Sequence, residues 1–262
     1  MDFLQNVDVL VLTYNEEANI ERTLEALNRF PRIVLLDSGS TDRTLEIARS
    51  HANVRICTHP FENHAAQWTW GLKECGLASP WVLALDADYV LDAALVGEMS
   101  ALAPPPDIGG WRVRFRYCVY GRELSASLYP PAVILYRREG ARYLQEGHSQ
   151  RLVPTGRVLA LDGKVSHDDR KSLTAWLAAQ DRYARIECQA LRSSPWSSLN
   201  WRDRIRRMVV IAPWLVPLYC LTVGRGLFDG RAGLFYALQR GIAEAILSLR
   251  LLEAEFTTRE AR

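Results

Sequence analysis

The stretch Val7–Glu17, VDVLVLTYNEE, decides the fold of this chain. Its first part, Val7–Thr13, is almost continuously apolar and ends in a polar run, which predicts a buried strand. The segment Glu17–Asn28 follows directly and carries its apolar residues at helical spacing. A buried strand that leads straight into an amphipathic helix is typical of α/β proteins with a parallel sheet.

The same alternation of strand and helix continues through the first half of the chain. Further buried strands are predicted at Arg32–Leu36, Val54–Cys57 and Trp81–Leu85, and helices at Thr41–Ser50, Ala65–Gly76 and Asp92–Leu102. The proline-rich loop Ala103–Gly110 interrupts this pattern. Beyond it, strands are predicted at Trp111–Val119, Ala132–Tyr136 and Val158–Leu161, and a helix at Ser172–Leu191. We therefore predict an α/β fold, a mostly parallel sheet with helices on both faces.

The composition is that of an ordinary globular protein. Of the 262 residues, 48% are hydrophobic and 24% are charged, and the net charge of +2 gives no indication of nucleic-acid binding. The five cysteines form no CxxC pair, so we expect neither a zinc site nor a disulfide framework. A reducing compartment is the simplest interpretation of these cysteines. The N-terminus lacks the basic start of a signal peptide, which favours a cytoplasmic protein.

Polar and acidic residues follow three of the predicted strands. These clusters are Thr13–Glu17, Asp37–Asp42 and Asp86–Asp88. Ligands of parallel α/β sheets bind at the carboxyl ends of the strands, where all three clusters should lie. Each cluster alone also fits a helix cap, a turn or a solvated strand end. Together they concentrate negative charge without a balancing lysine, which predicts a cation or a hydrogen-bonding ligand.

The pair Asp86 and Asp88 is the best candidate for a metal site. Side chains in an extended segment repeat every two residues, so both carboxylates point to the same side. Such a pair can hold Mg²⁺ or Mn²⁺ and leave positions open for phosphate oxygens. A metal there would neutralise a nucleotide diphosphate as it leaves.

The three clusters, in this order and spacing, resemble the donor-site signatures of family 2 glycosyltransferases with the GT-A fold. The resemblance continues through Gly147-His148 and His167–Lys171 and covers about Val7 to Tyr183. It is to bacterial lipopolysaccharide-core glucosyltransferases and exopolysaccharide glycosyltransferases. It implies a Rossmann-like GT-A sheet and an inverting, metal-dependent transfer of a sugar from a nucleotide-sugar donor, with UDP the favoured nucleotide.

The resemblance also implies roles for individual residues. The nucleotide-sugar-binding residues would be Thr13, Asn15, Glu16, Asp37, Ser38, Gly39, Gln67, Asp86, Ala87, Arg170 and Lys171. Asp88 would bind the metal, Mn²⁺ or Mg²⁺, together with His148 or His167, between which the sequence does not choose. Relatives usually carry a basic residue and an asparagine where this chain has Trp68 and Thr69.

An inverting transfer needs one general base to deprotonate the acceptor hydroxyl. Many relatives carry Val-His-Glu where this chain has Gly147-His148-Ser149, so the acid after the histidine is missing. Glu146, two residues before His148, is the candidate base, and the alternative is an ordinary surface acid. The run Asp168–Lys171 equally fits a helix start with an aspartate cap.

We predict a GT-A catalytic domain at 1–191, with a nucleotide-sugar half at 1–102 and an acceptor half at 103–191, and a helical C-terminal region at 192–262. This region is basic, with eleven arginines, no lysine and six acids. Its uncharged run Met208–Val223 is short for a membrane span and contains two prolines. It fits either a membrane-surface element through 201–223 or a buried element or homodimer contact. A long amphipathic helix follows at Ala232–Glu253.

The function predicted is sugar transfer to a saccharide or lipid-linked acceptor in bacterial polysaccharide or lipopolysaccharide synthesis, at the inner face of the cytoplasmic membrane. A sugar-nucleotide nucleotidyltransferase is one alternative, but it would need a glycine-rich, basic loop where this chain has Thr13–Glu17. A catalytically dead, membrane-attached scaffold is another, supported only by Trp68, Thr69 and Ser149. Neither the sugar nor the acceptor follows from the sequence.

Overall fold

A computed structural model describes residues 2–125, 129–146 and 149–260. The strands in this part of the chain are β1 (Val7–Thr13), β2 (Ile33–Asp37), β3 (Val54–Thr58), β4 (Trp81–Asp86), β5 (Tyr89–Leu91), β6 (Ile108–Val119), β7 (Arg122–Glu123), β8 (Ala132–Arg137), β9 (Arg142–Glu146), β10 (Ser149–Val153) and β11 (Arg157–His167). The α-helices are α1 (Ile20–Ala26), α2 (Thr44–Arg49), α3 (His64–Glu74), α4 (Ala93–Ser100), α5 (Leu173–Ser193), α6 (Trp201–Arg207), α7 (Ala212–Leu221) and α8 (Gly230–Glu260). Short 3₁₀ helices lie at Phe3–Asn6, Trp196–Ser198 and Gly226–Asp229.

The main sheet runs in the order β3-β2-β1-β4-β8-β6-β11-β5. Strands β3, β2, β1 and β4 are parallel to one another, as the alternation of strands and helices predicted. Strand β8 is antiparallel to both β4 and β6, whereas β11 is parallel to β6. The α/β prediction is confirmed, and the mixed order places the end of β11 on the same sheet as the donor-half strands.

Strand β1 explains why the opening stretch is apolar at nearly every position. All of its residues are buried, because helices cover both faces of the sheet around it. Val9 and Val11 pack into one core with Leu24 of α1, whereas Leu10 packs into a second core on the other face with Trp68 of α3. Successive side chains of a strand point to opposite faces, so one short run serves two cores.

Some strands were not predictable from the sequence pattern. Strand β5 and the antiparallel hairpin of β9 and β10 were not expected, and β11 extends to His167, beyond the predicted end at Leu161. The second part of β11 pairs with β6 over Lys164–His167 and with β5 over Val165–His167. This extension places His167 opposite Tyr89, one residue after Asp88.

The described residues divide into two compact units. One unit contains residues 2–121 and the described part of 129–170, and the other contains 122–125 and 171–260. The domain boundary predicted from the sequence, at 191, falls within α5. Helix α5 instead belongs to the second unit, because Ala184 and Cys188 pack with Leu247 and Leu251 of α8.

The second unit is helical, as expected of the C-terminal region. Helix α7 packs on α8 at Gly241, where a Cβ would lie 3.2 Å from Cγ of Pro217. Buried Glu244 of α8 is paired with Arg206 of α6 at 2.9 Å. Within the described ranges, no helix has both the length and the apolar character that a membrane crossing needs.

Candidate active site

The three strand-end clusters meet at one edge of the sheet. Thr13 pairs in register with Asp37 at the ends of β1 and β2, and Leu12 pairs with Asp86 of β4. The hydroxyl oxygen of Thr13 is buried there and has no hydrogen-bond partner among the described residues. A buried hydroxyl without a partner is costly, so this edge suits a ligand that supplies one.

The first two loops are joined by hydrogen bonds. The backbone N–H of Asn15 donates to Oγ of Ser40 at 2.9 Å, and Oδ1 of Asn15 accepts from the backbone N–H of Thr41 at 2.8 Å. The N–H of Glu16 donates to Oγ1 of Thr44 at 2.7 Å. Asn15 adopts a positive φ of 53°, which asparagine tolerates better than most residues. These bonds fix the shape of the loop that carries three of the predicted nucleotide-binding residues.

The side chains of Asp37 and Gln67 are buried and make hydrogen bonds to other groups of the protein. Oδ2 of Asp37 accepts from the backbone N–H groups of Gly39 and Ser40, both at 2.8 Å. Nε2 of Gln67 donates to Oγ of Ser38 at 3.0 Å, and Oε1 of Gln67 lies 2.9 Å from Nδ1 of His59. Both side chains therefore hold the loop at Ser38 and Gly39 in place, and their direct contact with a nucleotide stays a prediction.

The loop Asp86–Asp88 is held from below by helix α1. The backbone carbonyl of Ala87 accepts a hydrogen bond from Oγ1 of Thr23 at 2.7 Å, and both groups are buried. Asp86 is the last residue of β4, and Asp88 lies directly before β5. This bond fixes the turn that separates the two carboxylates.

Asp88 and His167 form a pair at this edge. Nε2 of His167 lies 2.9 Å from Oδ2 of Asp88, and each side chain is 15% exposed. The rings of Tyr89, Tyr117 and Tyr129 surround the imidazole edge-on. Burial by itself lowers the pKa of His167, but the charge and hydrogen bond of Asp88, with the charges of Asp86 and Asp169, outweigh it and raise the pKa. The carboxylates around His167 therefore attract positive charge to this site, which either a proton or a metal ion can supply.

This pair fits a divalent cation. Two ligands at right angles on Mg²⁺, each about 2.1 Å from the metal, are about 3 Å apart, as are these two atoms. Nδ1 of His167 is buried and has no partner in the described part of the chain. The described residues contain no cluster of three or more His, Cys, Asp or Glu side chains suited to a metal. Most positions on an ion held by this pair would therefore be open to phosphate oxygens and water.

Asp168, the residue after His167, lies at the centre of a buried ion-pair network that the sequence analysis missed. Its Oδ2 is 2.9 Å from Nη1 of Arg22 and 2.7 Å from Nη2 of Arg170. Its Oδ1 accepts from the backbone N–H of Gly121 at 3.0 Å. The alternative of an aspartate cap is wrong, because Ser172 caps α5 by accepting from the N–H of Ala175.

The buried side chain of Asn19 connects this network to the first loop. Nδ2 of Asn19 donates to Oε2 of Glu16 at 2.8 Å and to Oδ1 of Asp169 at 3.0 Å. Oδ1 of Asn19 accepts from the N–H of Arg170 at 2.9 Å. The sequence analysis expected uncompensated negative charge at this edge, but the guanidinium groups of Arg22 and Arg170 balance part of it.

The structure gives less information on three of the predicted site residues. Glu146 is the last residue of β9 and its side chain is not described, and His148 lies outside the described residues. The preceding Gln145 accepts from the N–H of Ala65 at 3.0 Å, which ties β9 to the start of α3. Lys171 is the first residue of the second unit after β11.

Comparison with known proteins agrees with this fold. The model of glycosyl transferase family 2 matches residues 8–148, more than half of the chain. The lipopolysaccharide core biosynthesis glycosyltransferase LpsC of Rhizobium meliloti (strain 1021) is 30% identical over 190 residues, covering 69% of this chain and 70% of that protein.

Two groups of solved structures are similar at low identity. TarS 1–349 of S. aureus in complex with UDP-GlcNAc has 15% identity and a TM-score of 0.45, over 97% of this chain and 92% of that one. Glucosyl-3-phosphoglycerate synthase from Mycobacterium tuberculosis, in complex with Mn²⁺, UDP and glucosyl-3-phosphoglycerate, has 17% identity and a TM-score of 0.43, over 72% and 79%.

The mixed α/β sheet with its surrounding helices is the GT-A fold that the resemblance implied, and the protein is a glycosyltransferase. The chain belongs to glycosyl transferase family 2. This membership sets aside the nucleotidyltransferase alternative.

Proposed function

We propose that this enzyme is a metal-dependent, inverting glycosyltransferase that uses a UDP-sugar. Its acceptor is a saccharide or lipid-linked saccharide in the synthesis of bacterial lipopolysaccharide or another cell-surface polysaccharide, as the name of the relative LpsC suggests. The observation that carries the proposal is the pairing of Asp88 with His167 at 2.9 Å beside the joined strand-end loops.

The nucleotide is proposed to bind on the first two loops. The buried hydroxyl of Thr13, which has no partner within the described ranges, supplies one hydrogen-bonding group. The loop that includes Asn15 and Glu16 forms one wall. Ser38 and Gly39 form the opposite wall, held by Gln67 and Asp37. Asp86, half-buried at the end of β4, would accept hydrogen bonds from the ribose or the donor sugar.

Asp88 and His167 would hold Mn²⁺ or Mg²⁺. The ion would neutralise the diphosphate as the bond to the sugar breaks. Arg170 would add positive charge beside the leaving group, because Asp168 fixes its guanidinium and 39% of the side chain remains exposed. Lys171, the next residue, is the second cation proposed for the diphosphate.

The transfer is proposed to be a single displacement. A hydroxyl oxygen of the acceptor forms a bond to the anomeric carbon while the bond to the β-phosphate oxygen of UDP breaks. Glu146 takes the hydroxyl proton, and UDP leaves with the electron pair of the broken bond. One displacement inverts the anomeric configuration.

Calorimetric titration of UDP with and without Mn²⁺ tests the metal site. We expect Asp88→Asn and His167→Gln each to abolish most of the gain in UDP affinity that Mn²⁺ gives, by about tenfold or more. Asp162→Asn, the same change at an exposed position of β11, should behave as wild type. An unchanged Mn²⁺ effect in both site variants would contradict the proposed metal role.

Donor hydrolysis tests the donor and the base separately. We expect metal-dependent hydrolysis of at least one member of a panel of UDP-sugars and little hydrolysis of GDP- or dTDP-sugars. Glu146→Gln should keep donor binding and lower transfer by about 100-fold or more, and Glu139→Gln, at an exposed acid before β9, should not. Transfer near the wild-type rate in Glu146→Gln would exclude this base. Absence of turnover with every donor would favour the scaffold alternative.

A further inference from the structure

Helix α7 exposes its large apolar side chains and buries its small ones, which is the reverse of the usual arrangement. The side chains at Ile211, Trp214, Leu215 and Leu218 recur at the spacing of one helical face, and all are exposed. The most exposed of them, Trp214, has 77% of its surface in contact with solvent. The buried positions are the smaller Ala212 and Cys220. An ordinary surface helix buries its large apolar residues, so this face is suited to contact another apolar phase.

The apolar surface extends beyond both ends of α7. Met208 and Val210 precede the helix, and Val223, Leu227 and Phe228 follow it, each more than half exposed. Helix α8 covers the other side of α7 through the contact of Gly241 with Pro217, and so leaves this face uncovered. We call residues 201–228 the α7 surface.

The charge of the α7 surface is positive. It contains one acid, Asp203, which lies within hydrogen-bond distance of Asn200, and five arginines, of which Arg206 is already paired with Glu244. Arg202 lies over the ring of Trp201, with 5.3 Å to the ring centroid, and Arg225 lies over Phe228 at 5.6 Å. Aromatic rings with adjacent arginines suit the boundary of a bilayer, where rings enter the headgroup region and guanidinium groups meet lipid phosphates.

We propose that the α7 surface docks this enzyme in the plane of an anionic lipid bilayer. Trp214 and Phe228 enter the boundary between headgroups and acyl chains, and Arg202 and Arg225 contact the phosphates. Helix α7 has ten residues and contains Pro217, so it lies on the membrane and does not cross it. The inference goes beyond the proposed function and does not rest on it, since it uses no residue of the candidate active site.

Charge favours lipid over a second copy of this chain. A symmetric dimer through the α7 surface would bring the same arginines of both copies together, because such an interface pairs each patch with itself. Like charges in contact oppose association, and the surface offers only one acid to compensate. An anionic lipid surface supplies the negative charge that a second copy lacks.

Vesicle flotation of the full chain tests the proposal. One set of vesicles is phosphatidylcholine alone, and the other contains about a third phosphatidylglycerol, which gives the negative surface. We expect wild type to bind the anionic vesicles at least about tenfold better than the neutral ones, and the preference to fall in high salt. Tryptophan fluorescence should shift to shorter wavelength on binding, and the shift should be smaller in Trp214→Phe, which keeps Trp201 of the same surface.

Paired variants identify the surface. Trp214→Ser with Phe228→Ser should lower binding to anionic vesicles by about tenfold or more. Leu249→Ser with Phe256→Ser, at comparably exposed positions late in α8, should leave it unchanged. Thermal unfolding of each variant serves as the control for folding. Equal binding by wild type and the first pair, or no binding by wild type, would overturn the proposal. So would a wild-type dimer that the first pair converts to monomer.

Discussion

Asp168 and Arg22 form an ion pair that joins the end of β11 to helix α1, with 2.9 Å between Oδ2 and Nη1. The carboxylate is 5% exposed and also accepts from Arg170. Because Asp168 directly follows His167, this pair fixes the strand end that carries one of the two proposed cation ligands. Asp168 is therefore a positioning residue for the candidate metal site.

Asp168→Asn should destabilise the protein and weaken its metal response. Removal of the charge leaves Arg22 and Arg170 partly uncompensated. Because both guanidinium groups are partly exposed, this should lower the free energy of unfolding by about 1–3 kcal/mol. The affinity of Mn²⁺-dependent UDP binding should fall, while metal-free UDP binding changes less. Thermal unfolding and calorimetry measure the two effects, with Asp162→Asn as the matched control. Wild-type stability together with a wild-type Mn²⁺ effect would contradict the positioning role.

Asp8 should contribute to stability in a pH-dependent way. Burial raises its pKa, but hydrogen bonds from the backbone and hydroxyl of Ser79, from Arg32 and from the N–H of Ala78 together lower it below 3.8. A carboxylate whose pKa is lowered by folding stabilises the folded state above its unfolded pKa and loses that effect as the pH falls. We expect the wild type to lose stability below about pH 4.

The matching variant is Asp8→Asn. Its free energy of unfolding at neutral pH should be about 2–3 kcal/mol lower than that of wild type, because four donors lose a charged acceptor. The difference from wild type should shrink in urea titrations as the pH falls below about 4. A difference that stays constant with pH would show that the charge of Asp8 is not the cause.

Asn15 should tolerate glycine better than alanine. Its φ of 53° costs an alanine about 1 kcal/mol, whereas glycine adopts it freely. Both variants lose the hydrogen bond from Thr41 to Oδ1, so both should bind UDP more weakly. In urea unfolding, the free energy of unfolding of Asn15→Ala should be about 1 kcal/mol lower than that of Asn15→Gly. Equal stability of the two would argue against backbone strain at this position.

Gln67→Leu should separate a structural from a direct role of this side chain. The change leaves Ser38 and His59 without their partner and should lower the free energy of unfolding by about 1–3 kcal/mol. If Gln67 acts only by holding the loop at Ser38 and Gly39, the variant should bind UDP with nearly wild-type affinity at a lower temperature, where this loop is again folded. A loss of affinity that persists under conditions of full folding would indicate direct contact with the nucleotide.

The sequence predicted those parts of the fold that depend on local pattern. Strands β1 to β4 are short and apolar and alternate with helices, so their existence and their parallel direction could be predicted. The polar residues at their ends could be placed on one edge because parallel strands end together. The end of α7 and the length of α8 needed tertiary contacts, since propensity alone does not set helix ends.

The remainder of the candidate site depends on contacts between distant residues. Arg22 and Asn19 lie in a helical pattern that gives no sign of a polar partner, and their partners follow β11 far along the chain. The second half of β11 contains Gly163 and Lys164 and lacks an apolar run, so its extension to His167 was not predictable. Register with β5 and β6 determines it instead.

The hydrogen bonds of Asn19 and Arg22 have a consequence for the order of folding. They connect residues separated by 146 to 151 positions in sequence. Contacts between such distant residues require closure of a long loop and form late when topology controls the rate. A nascent chain could therefore pair β1 with β2 early in synthesis but would complete the candidate metal-binding edge only after residue 170 has left the ribosome.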